Sequence, residues 1–260
     1  MALYDHLRAY YELVFPTRKE VIDFLEHQFA QDGLLQIIDA ACGTGGQALA
    51  LAERGYNLLA LDLHEAMVEA GRNKARAMEI PSAGEVLSSG TVRFEVMDMT
   101  RLRLFPTEPW QGLYCIGNSL PHLIEEGQVE KTLQNWRENL TSQHKTLIIQ
   151  IVNFSKIFNE GGEFPLLTGQ KDDVKVTFER RYEEKESNLI SFITHLKIEK
   201  GEEEKTYRDE TTLRPLTKGF LQEHLQRLGY NDLQWYGDVT GKPFHPEESP
   251  AIVVVARIKR

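Results

Sequence analysis

Five short stretches of this sequence concentrate residues able to hold a ligand or move a proton: residues 39–46, Asp62, Asp98, residues 117–122 and Asn153. The first, Asp39-Ala40-Ala41-Cys42-Gly43-Thr44-Gly45-Gly46, opens on a carboxylate and continues in glycines. Glycine lets a backbone adopt positive φ and approach a ligand closely, and a helix that follows offers free N–H groups. The same segment satisfies a dinucleotide fingerprint as Gly43-x-Gly45-x-x-Ala48, and a tight turn without a ligand would use the same residues. Asp62 follows Gly43 by nineteen residues at the end of an apolar run, where a carboxylate accepts both hydroxyls of a ribose. Nicotinamide and adenosyl-methionine sites share that geometry, so Asp62 marks an adenosine ribose without choosing the cofactor; capping the next helix is its plainer role. Asp98, in Glu95-Val96-Met97-Asp98-Met99, can accept from an adenine amine while the next backbone N–H serves a ring nitrogen. His122 belongs to the pKa class suited to proton transfer near neutral pH. The amide of Asn118 can orient an amine or a carboxylate. Surface packing and turn capping are the alternatives for these two.

Such residues need a scaffold that gathers them, and the apolar pattern supplies one. Residues 34–40, 57–63, 92–97, 112–116 and 145–153 read as buried strands, with helices over 47–54, 64–78 and about 127–140 between them. Strand–helix alternation at this spacing means βαβ units and a parallel sheet covered on both faces. Ligands of such sheets bind beyond the carboxyl ends of the strands, near the switch in strand order. Each candidate segment falls at one of those ends. Upstream, Tyr4, Leu7, Tyr11 and Phe15 recur at helical spacing and lead through Pro16 to a helix over 21–29. Downstream, the charged segments 171–182, 188–200 and 204–213 alternate in part and read as antiparallel strands with one solvated face. Hairpin signals lie at 184–187 and at Lys200-Gly201. A helix over 216–228 and strands near 233–236 and 251–258 return the chain to the main sheet. The expected organisation is a helical cap (1–33), a core (34–155 and 214–260) and an antiparallel insertion (156–213).

Composition narrows the function classes. The 260 residues carry 39 acidic against 30 basic side chains, a formal charge of −9, with no long Lys/Arg run. That disfavours a dedicated nucleic-acid binder, which needs a basic stripe. No apolar run approaches the roughly 18 residues of a membrane span, and residues 1–11 lack a signal peptide's apolar region. A cytoplasmic protein without membrane association is expected. Cys42 and Cys115 are the two cysteines, with no Cys-x-x-Cys pair, so neither a disulfide framework nor a metal site is expected. Both read as small packing residues, a redox-sensitive pair being the alternative.

Taken together, Ile37-Ile38-Asp39-Ala40-Ala41-Cys42-Gly43-Thr44-Gly45, Ala60-Leu61-Asp62-Leu63-His64-Glu65-Ala66-Met67 and Asp98 resemble the class I S-adenosylmethionine-dependent methyltransferase family. The resemblance implies an α/β, Rossmann-like methyltransferase fold: a seven-stranded, mostly parallel sheet with helices on both faces, plus an inserted antiparallel β lid. It implies S-adenosyl-L-methionine as cofactor, leaving as S-adenosyl-L-homocysteine. Cofactor-binding positions carried over are Arg18, Asp39, Ala41, Cys42, Gly43, Gly45, Asp62, Leu63, Asp98, Met99, Ile116 and Gly117. The loop Cys115-Ile116-Gly117-Asn118-Ser119-Leu120-Pro121-His122-Leu123 and the tail Tyr236-Gly237-Asp238 are similar to bacterial small-molecule N-methyltransferases of the glycine/sarcosine type. That narrower likeness implies a small-molecule acceptor, an amine nitrogen, direct in-line displacement, and a lid closed from the other side by the N-terminal helices. By residue chemistry and loop position, His122 is the candidate base or acceptor-orienting group and Asn118 the candidate to orient the acceptor. In that likeness Tyr10, Tyr11, Asn153 and Arg214 stand on the substrate side, and Arg18 meets the carboxylate of the cofactor's methionine moiety.

One departure bears on the acceptor. Glycine-methylating enzymes carry an Arg-Asn-Tyr-Asp run after the fifth strand, whose arginine holds the substrate carboxylate; here Ile151-Val152-Asn153-Phe154-Ser155 places valine there. A buried carboxylate without a cation is costly. Glycine itself is therefore not expected unless Arg214 reaches in from the far side. Two other functions share these features. A nicotinamide-dependent oxidoreductase would use the Gly-rich turn and Asp62 but leaves Asp39, Asp98 and the 117–123 loop without a role. A non-catalytic scaffold would keep the pocket and lack turnover.

Overall fold

The computed structural model describes residues 2–81, 90–102, 110–140 and 145–258, with the side chains of Ala2, Tyr4 and Asp5 outside that set. Helices α1 (Ala2–Leu7), α2 (Tyr11–Val14) and α3 (Lys19–Ala30) open the chain. A 3-10 turn at Arg8–Tyr10 separates the first two, and Pro16 stops α2, since the residue before a proline avoids helical backbone. The alternating part follows as β1 (Gln36–Ala40), α4 (Gly46–Glu53), β2 (Asn57–Asp62), α5 (Glu65–Ala77), β3 (Thr91–Val96), β4 (Gly112–Cys115), α6 (Gln128–Asn139) and β5 (Lys145–Val152). Then come α7 (Phe154–Asn159), β6 (Leu167–Lys171), β7 (Val174–Glu184), β8 (Ile190–Lys200) and β9 (Glu203–Leu213). Helix α8 (Lys218–Arg227) and strands β10 (Asp232–Tyr236) and β11 (Ala251–Ile258) finish the described chain.

Seven strands form the main sheet in the order β10-β11-β5-β4-β1-β2-β3. Strands β1 to β5 pair in parallel, and β11 runs antiparallel to both β5 and β10. Both faces are apolar because successive side chains alternate sides. Ile37, Leu58, Tyr114 and Ile148 face α3, α4 and α5. Ile38, Leu59, Leu113 and Ile149 face α6 and α8. The chain leaves β1 toward β2 and β3 and later returns to build β4 and β5 on its other side, so the switch in strand order lies between β1 and β4.

The second sheet, β6-β7-β8-β9, is wholly antiparallel. The strand expected over 171–182 begins at Val174, and β6, which ends at Lys171, has no counterpart in the sequence reading; a turn with Asp172 at φ +52° joins the two. Helix α7 has no counterpart in the sequence reading. Val176, Phe178, Leu196 and Ile198 of this sheet pack against Leu3, Leu7 and Val14 of the N-terminal helices. Tyr182, Ile190 and Leu213 pack against Phe154 and Ile157 of α7. Burying a Leu, Ile or Phe side chain contributes about 1.5–3 kcal/mol, so two apolar clusters fix the sheet beside the strand ends of the core.

Candidate active site at the β1/β4 switch

The turn after β1 is shaped by positive φ at Ala41 (+66°), Gly43 (+56°) and Gly45 (+75°). It is closed by the Cys42 N–H donating to the Leu61 carbonyl at 2.9 Å and the Gly45 N–H donating to the Cys42 carbonyl at 2.9 Å. Asp39 precedes it, 2% exposed. Burial raises its carboxyl to about 8; the Tyr114 hydroxyl, across the β1–β4 ladder, opposes the rise and the charge of Asp62 adds to it. Its Oδ2 is buried and has no hydrogen-bond partner.

Asp62 ends β2 and reaches back to this turn. Its Oδ2 accepts the Gly43 N–H at 2.8 Å and its Oδ1 accepts the His64 N–H at 2.9 Å. Two backbone donors therefore set the plane of the carboxylate, and an ionised carboxylate has further lone pairs for a ligand's hydroxyls. Asp98 accepts the Thr100 N–H at 2.9 Å and caps the 3-10 turn Met99–Arg101.

Two cavities open beyond the strand ends and share Tyr11, Ala41, Ile116 and Gly117 in their walls. The first, about 460 Å³, is lined by Gly43, Asp62, Leu63, Asp98, Met99 and His122. The second, about 490 Å³, is lined by Arg18, Asp39, Cys42, Thr44, Gln150 and Arg180. Tyr11 stands where they meet. His122 closes the 3-10 turn Leu120–His122, its N–H donating to the Ser119 carbonyl at 3.1 Å. The surrounding protein lowers its pKa from the ordinary imidazole value by desolvation.

Five expected site residues do not line these cavities, and Gly45 is the first: it shapes the turn from behind, against the ring of Phe94. Asn118, at φ +68°, spends both ends of its amide on the scaffold: Oδ1 accepts the Val152 N–H at 2.9 Å and Nδ2 donates to the Tyr182 hydroxyl of β7 at 3.2 Å. It latches the β4 loop to β5 and to the second sheet. Asn153 is 4% exposed and donates to the carbonyls of Pro246 and Ser249 at 2.7 and 2.9 Å, so its amide satisfies a loop. Tyr10 packs in the apolar cluster between the N-terminal helices and the second sheet. Arg214 donates its Nε and Nη2 to the Ile124 carbonyl and does not reach in from the far side. The cysteines lie in clusters on opposite faces of the main sheet, which removes the redox-pair alternative. Desolvation raises both thiols, as suits packing residues.

The structure also brings in residues that the sequence reading missed. Glu12 of α2 accepts from the Thr44 hydroxyl at 2.5 Å and from Lys74 of α5, whose ammonium also donates to the Thr44 carbonyl at 3.2 Å. This joins the N-terminal cap to the Gly-rich turn. From the second sheet, Asp209 and Thr211 line the first cavity and Arg180 the second. Among the described residues no group of His, Cys, Asp and Glu could hold a metal, and no helix is long and apolar enough to cross a membrane.

Comparison with known proteins gives a consistent picture. The family described as "Methyltransferase domain" matches residues 37–143. A protein of Geobacillus sp. (strain WCH70), named as a methyltransferase, is 31% identical over 113 residues, 44% of this chain and 41% of that relative's length. This chain thus spans less than half of that relative. A glycine/sarcosine N-methyltransferase of Aphanothece halophytica is 25% identical over 236 residues, 90% of this chain and 80% of the relative. Among solved structures, an S-adenosylmethionine-dependent methyltransferase from Clostridium acetobutylicum superposes with a TM-score of 0.75 at 18% identity, over 99% of this chain and 100% of the other. CalS10 from Micromonospora echinaspora, an amino pentose methyltransferase with S-adenosylmethionine bound, gives 0.67 at 15% identity, over 92% and 90%. These two likenesses establish the fold.

Proposed function

We propose, from the premise that residues 37–143 form a class I S-adenosylmethionine-dependent methyltransferase domain, that this chain transfers a methyl group to a small-molecule amine by direct in-line displacement. The observation that carries the reading is Asp62, oriented by the Gly43 N–H and facing the same cavity as Asp98. With both carboxylates on one cavity, Asp62 can take a ribose diol and Asp98 the adenine amine of the same nucleoside.

The residues present fit the cofactor. S-adenosylmethionine carries a sulfonium and an ammonium, and the buried, partnerless Oδ2 of Asp39 on the second cavity is the acceptor that such a cationic arm calls for. Positive φ at Gly43, on the wall of the first cavity, leaves the turn open to close backbone approach. Asp62 would hold the ribose hydroxyls, Asp98 with the Met99 backbone the adenine, Leu63 and Ile116 the apolar surfaces, and Arg18 the carboxylate. When bound, the cofactor supplies a methyl group already activated on sulfur.

The chain's own residues then have three tasks. Tyr11 and Gly117, shared by both cavities, position the acceptor nitrogen, and orientation of this kind can supply roughly 7–11 kcal/mol of barrier reduction. The second sheet and the N-terminal helices act as the lid that excludes water. His122, with its pKa lowered, is neutral at pH 7 and takes the amine's proton on a ring nitrogen, a contribution of about 10²–10⁴-fold. The amine reading is supported by the glycine/sarcosine N-methyltransferase relative and by the amino pentose methyltransferase neighbour.

Calorimetry tests the reading: S-adenosylhomocysteine should bind with micromolar affinity and NADH should not. Tight NADH binding without any response to S-adenosylhomocysteine overturns it in favour of an oxidoreductase. Labelled S-adenosylmethionine offered with a broad amine panel should yield product; binding with no product from any acceptor favours a scaffold.

A further inference from the structure

The His122 ring takes no hydrogen bond from the described residues, so the backbone of its turn sets where the ring points. That turn, Leu120–His122, is held from within by the His122 N–H on the Ser119 carbonyl and the Leu123 N–H on the Leu120 carbonyl, both at 3.1 Å. Turns of this kind are short and their hydrogen bonds poorly directed, and Pro121 removes a donor from this one. Leu120, Pro121 and Leu123 are buried and fix only its apolar side. The polar side is gripped by one residue of the second sheet. Arg214 directly follows β9, and its backbone N–H donates to the Pro121 carbonyl at 2.8 Å. Its guanidinium donates to the Ile124 carbonyl, Nε at 3.1 Å and Nη2 beside it. Pro121 and Ile124 bracket His122 along the chain. Leu213, fully buried, anchors Arg214 from behind, and Pro215 keeps its backbone extended. The same strand brings Asp209 and Thr211 to the first cavity, which His122 also lines.

Resting on the methyltransferase reading with His122 as its base, we propose that Arg214 is a positioning residue: by clamping the Pro121 and Ile124 carbonyls it holds the His122 imidazole toward the acceptor. Arg214 lines neither cavity, so it acts through the turn and not on the ligand. Its planar fork gives two donors to one carbonyl in fixed geometry, which an ammonium does not. Because β9 carries both a wall of the cavity and this clamp, seating the lid and aiming the base become one event. The other titratable groups on the His122 cavity are Tyr11, Asp62, His64, Asp98 and Asp209, and Glu125 and Glu126 follow on its loop. Arg214 adds a positive charge behind the turn, so the experiment has to separate charge from fork.

Histidine ring signals are followed by NMR through a pH titration of the S-adenosylhomocysteine complex of wild type, Arg214→Lys and Arg214→Gln. The His122 signal is the one missing from His122→Ala. Lysine keeps the charge and loses the fork; glutamine loses both. Wild-type His122 should titrate below an ordinary imidazole. Its midpoint should move up toward the ordinary value in both variants, furthest in Arg214→Gln, as a loosened turn lets water reach the ring. On whichever amine of the panel gives product, kcat should fall by up to about 10²-fold in Arg214→Gln, and by less in Arg214→Lys. Calorimetric affinity for S-adenosylhomocysteine should hold in all three. The proposal is overturned if the His122 titration is unchanged in both variants, even where they melt earlier; that result would leave Arg214 a staple of the lid. It is also overturned if Arg214→Lys titrates as wild type while Arg214→Gln shifts, which assigns the effect to charge, or if S-adenosylhomocysteine affinity falls along with kcat. Should Arg214→Gln not fold, the shift or its absence in Arg214→Lys decides alone. Failure of S-adenosylhomocysteine to bind wild type would remove the underlying reading as well, whereas every other adverse result leaves that reading standing.

Discussion

Asp62 has two duties at the residue scale. It ties the Gly-rich turn to β2 through the Gly43 N–H and presents its remaining lone pairs to the first cavity. Replacing it by alanine should weaken S-adenosylhomocysteine binding by roughly 1.5–3 kcal/mol, the worth of charge-assisted hydrogen bonds; unchanged calorimetric affinity would leave it a turn-capping residue only. His122 should behave oppositely. Its pKa lies below the ordinary imidazole value because the surrounding protein disfavours the charged form. It is therefore neutral at pH 7 and is lost as a base only as pH falls through the lowered value. His122→Ala should cut turnover about 10²–10⁴-fold, leave S-adenosylhomocysteine affinity intact and abolish that acid limb of the rate profile; parallel loss of affinity and rate would take it out of the chemistry. Asp39, Asp62 and Asp98 were legible in the sequence because each directly follows or ends an apolar strand, so spacing alone places it. Asn118 and Asn153 had the same credentials and read wrongly as ligand-facing. An amide at a strand end can serve backbone as readily as ligand, and only the positions of Val152, Tyr182, Pro246 and Ser249 decide which.

Elements position these groups through contacts that are tight enough to test. The ring of Phe94 on β3 lies between the Gly-rich turn and α5: a Cβ at Gly45 would come within 2.3 Å of it, and a Cβ at Gly71 within 2.4 Å. Gly71→Ala should therefore cost about 1–3 kcal/mol by overpacking. Gly45→Ala should cost about 1–2 kcal/mol more, because Gly45 also sits at φ +75°, where a side chain is strained. Urea denaturation of the two variants would measure this, and adding Phe94→Leu should recover part of the loss in Gly71→Ala but not the backbone strain in Gly45→Ala. Equal destabilisation of both variants would contradict the strain assigned to the turn. The strands and helices of the main sheet were readable from apolar runs, since residues buried on both faces leave an unbroken signature. The four-stranded sheet was read less well: one solvated face gives a weaker alternation, so β6 and α7 both went unseen. Glu12, Lys74 and Arg180 were beyond reach, because their partners lie 30 or more residues away along the chain or on another sheet.

For the whole molecule, Asp39 couples folding, ligand binding and pH. Its carboxyl rises to about 8 in the folded chain from an ordinary value of 3.8, chiefly through burial. The folded state then holds a proton that the unfolded chain releases, so this group's effect on stability runs opposite to that of a salt-bridged aspartate. Its cost is absent below the unfolded value, grows as pH rises between the two values, and is complete above the folded one. The ligand-free protein should lose stability from this source as pH is raised from about 4 toward 8, and Asp39→Asn should flatten that part of the profile. A cationic arm placed against Oδ2 favours the ionised form, so binding at pH 7 should expel a proton. Calorimetric titration of S-adenosylmethionine in two buffers of different ionisation enthalpy would count it. A net release that disappears in Asp39→Asn is the expected outcome. Heats that do not depend on the buffer would mean that Asp39 is already ionised or never meets the cofactor's charge, and would return the residue to a purely structural place in β1.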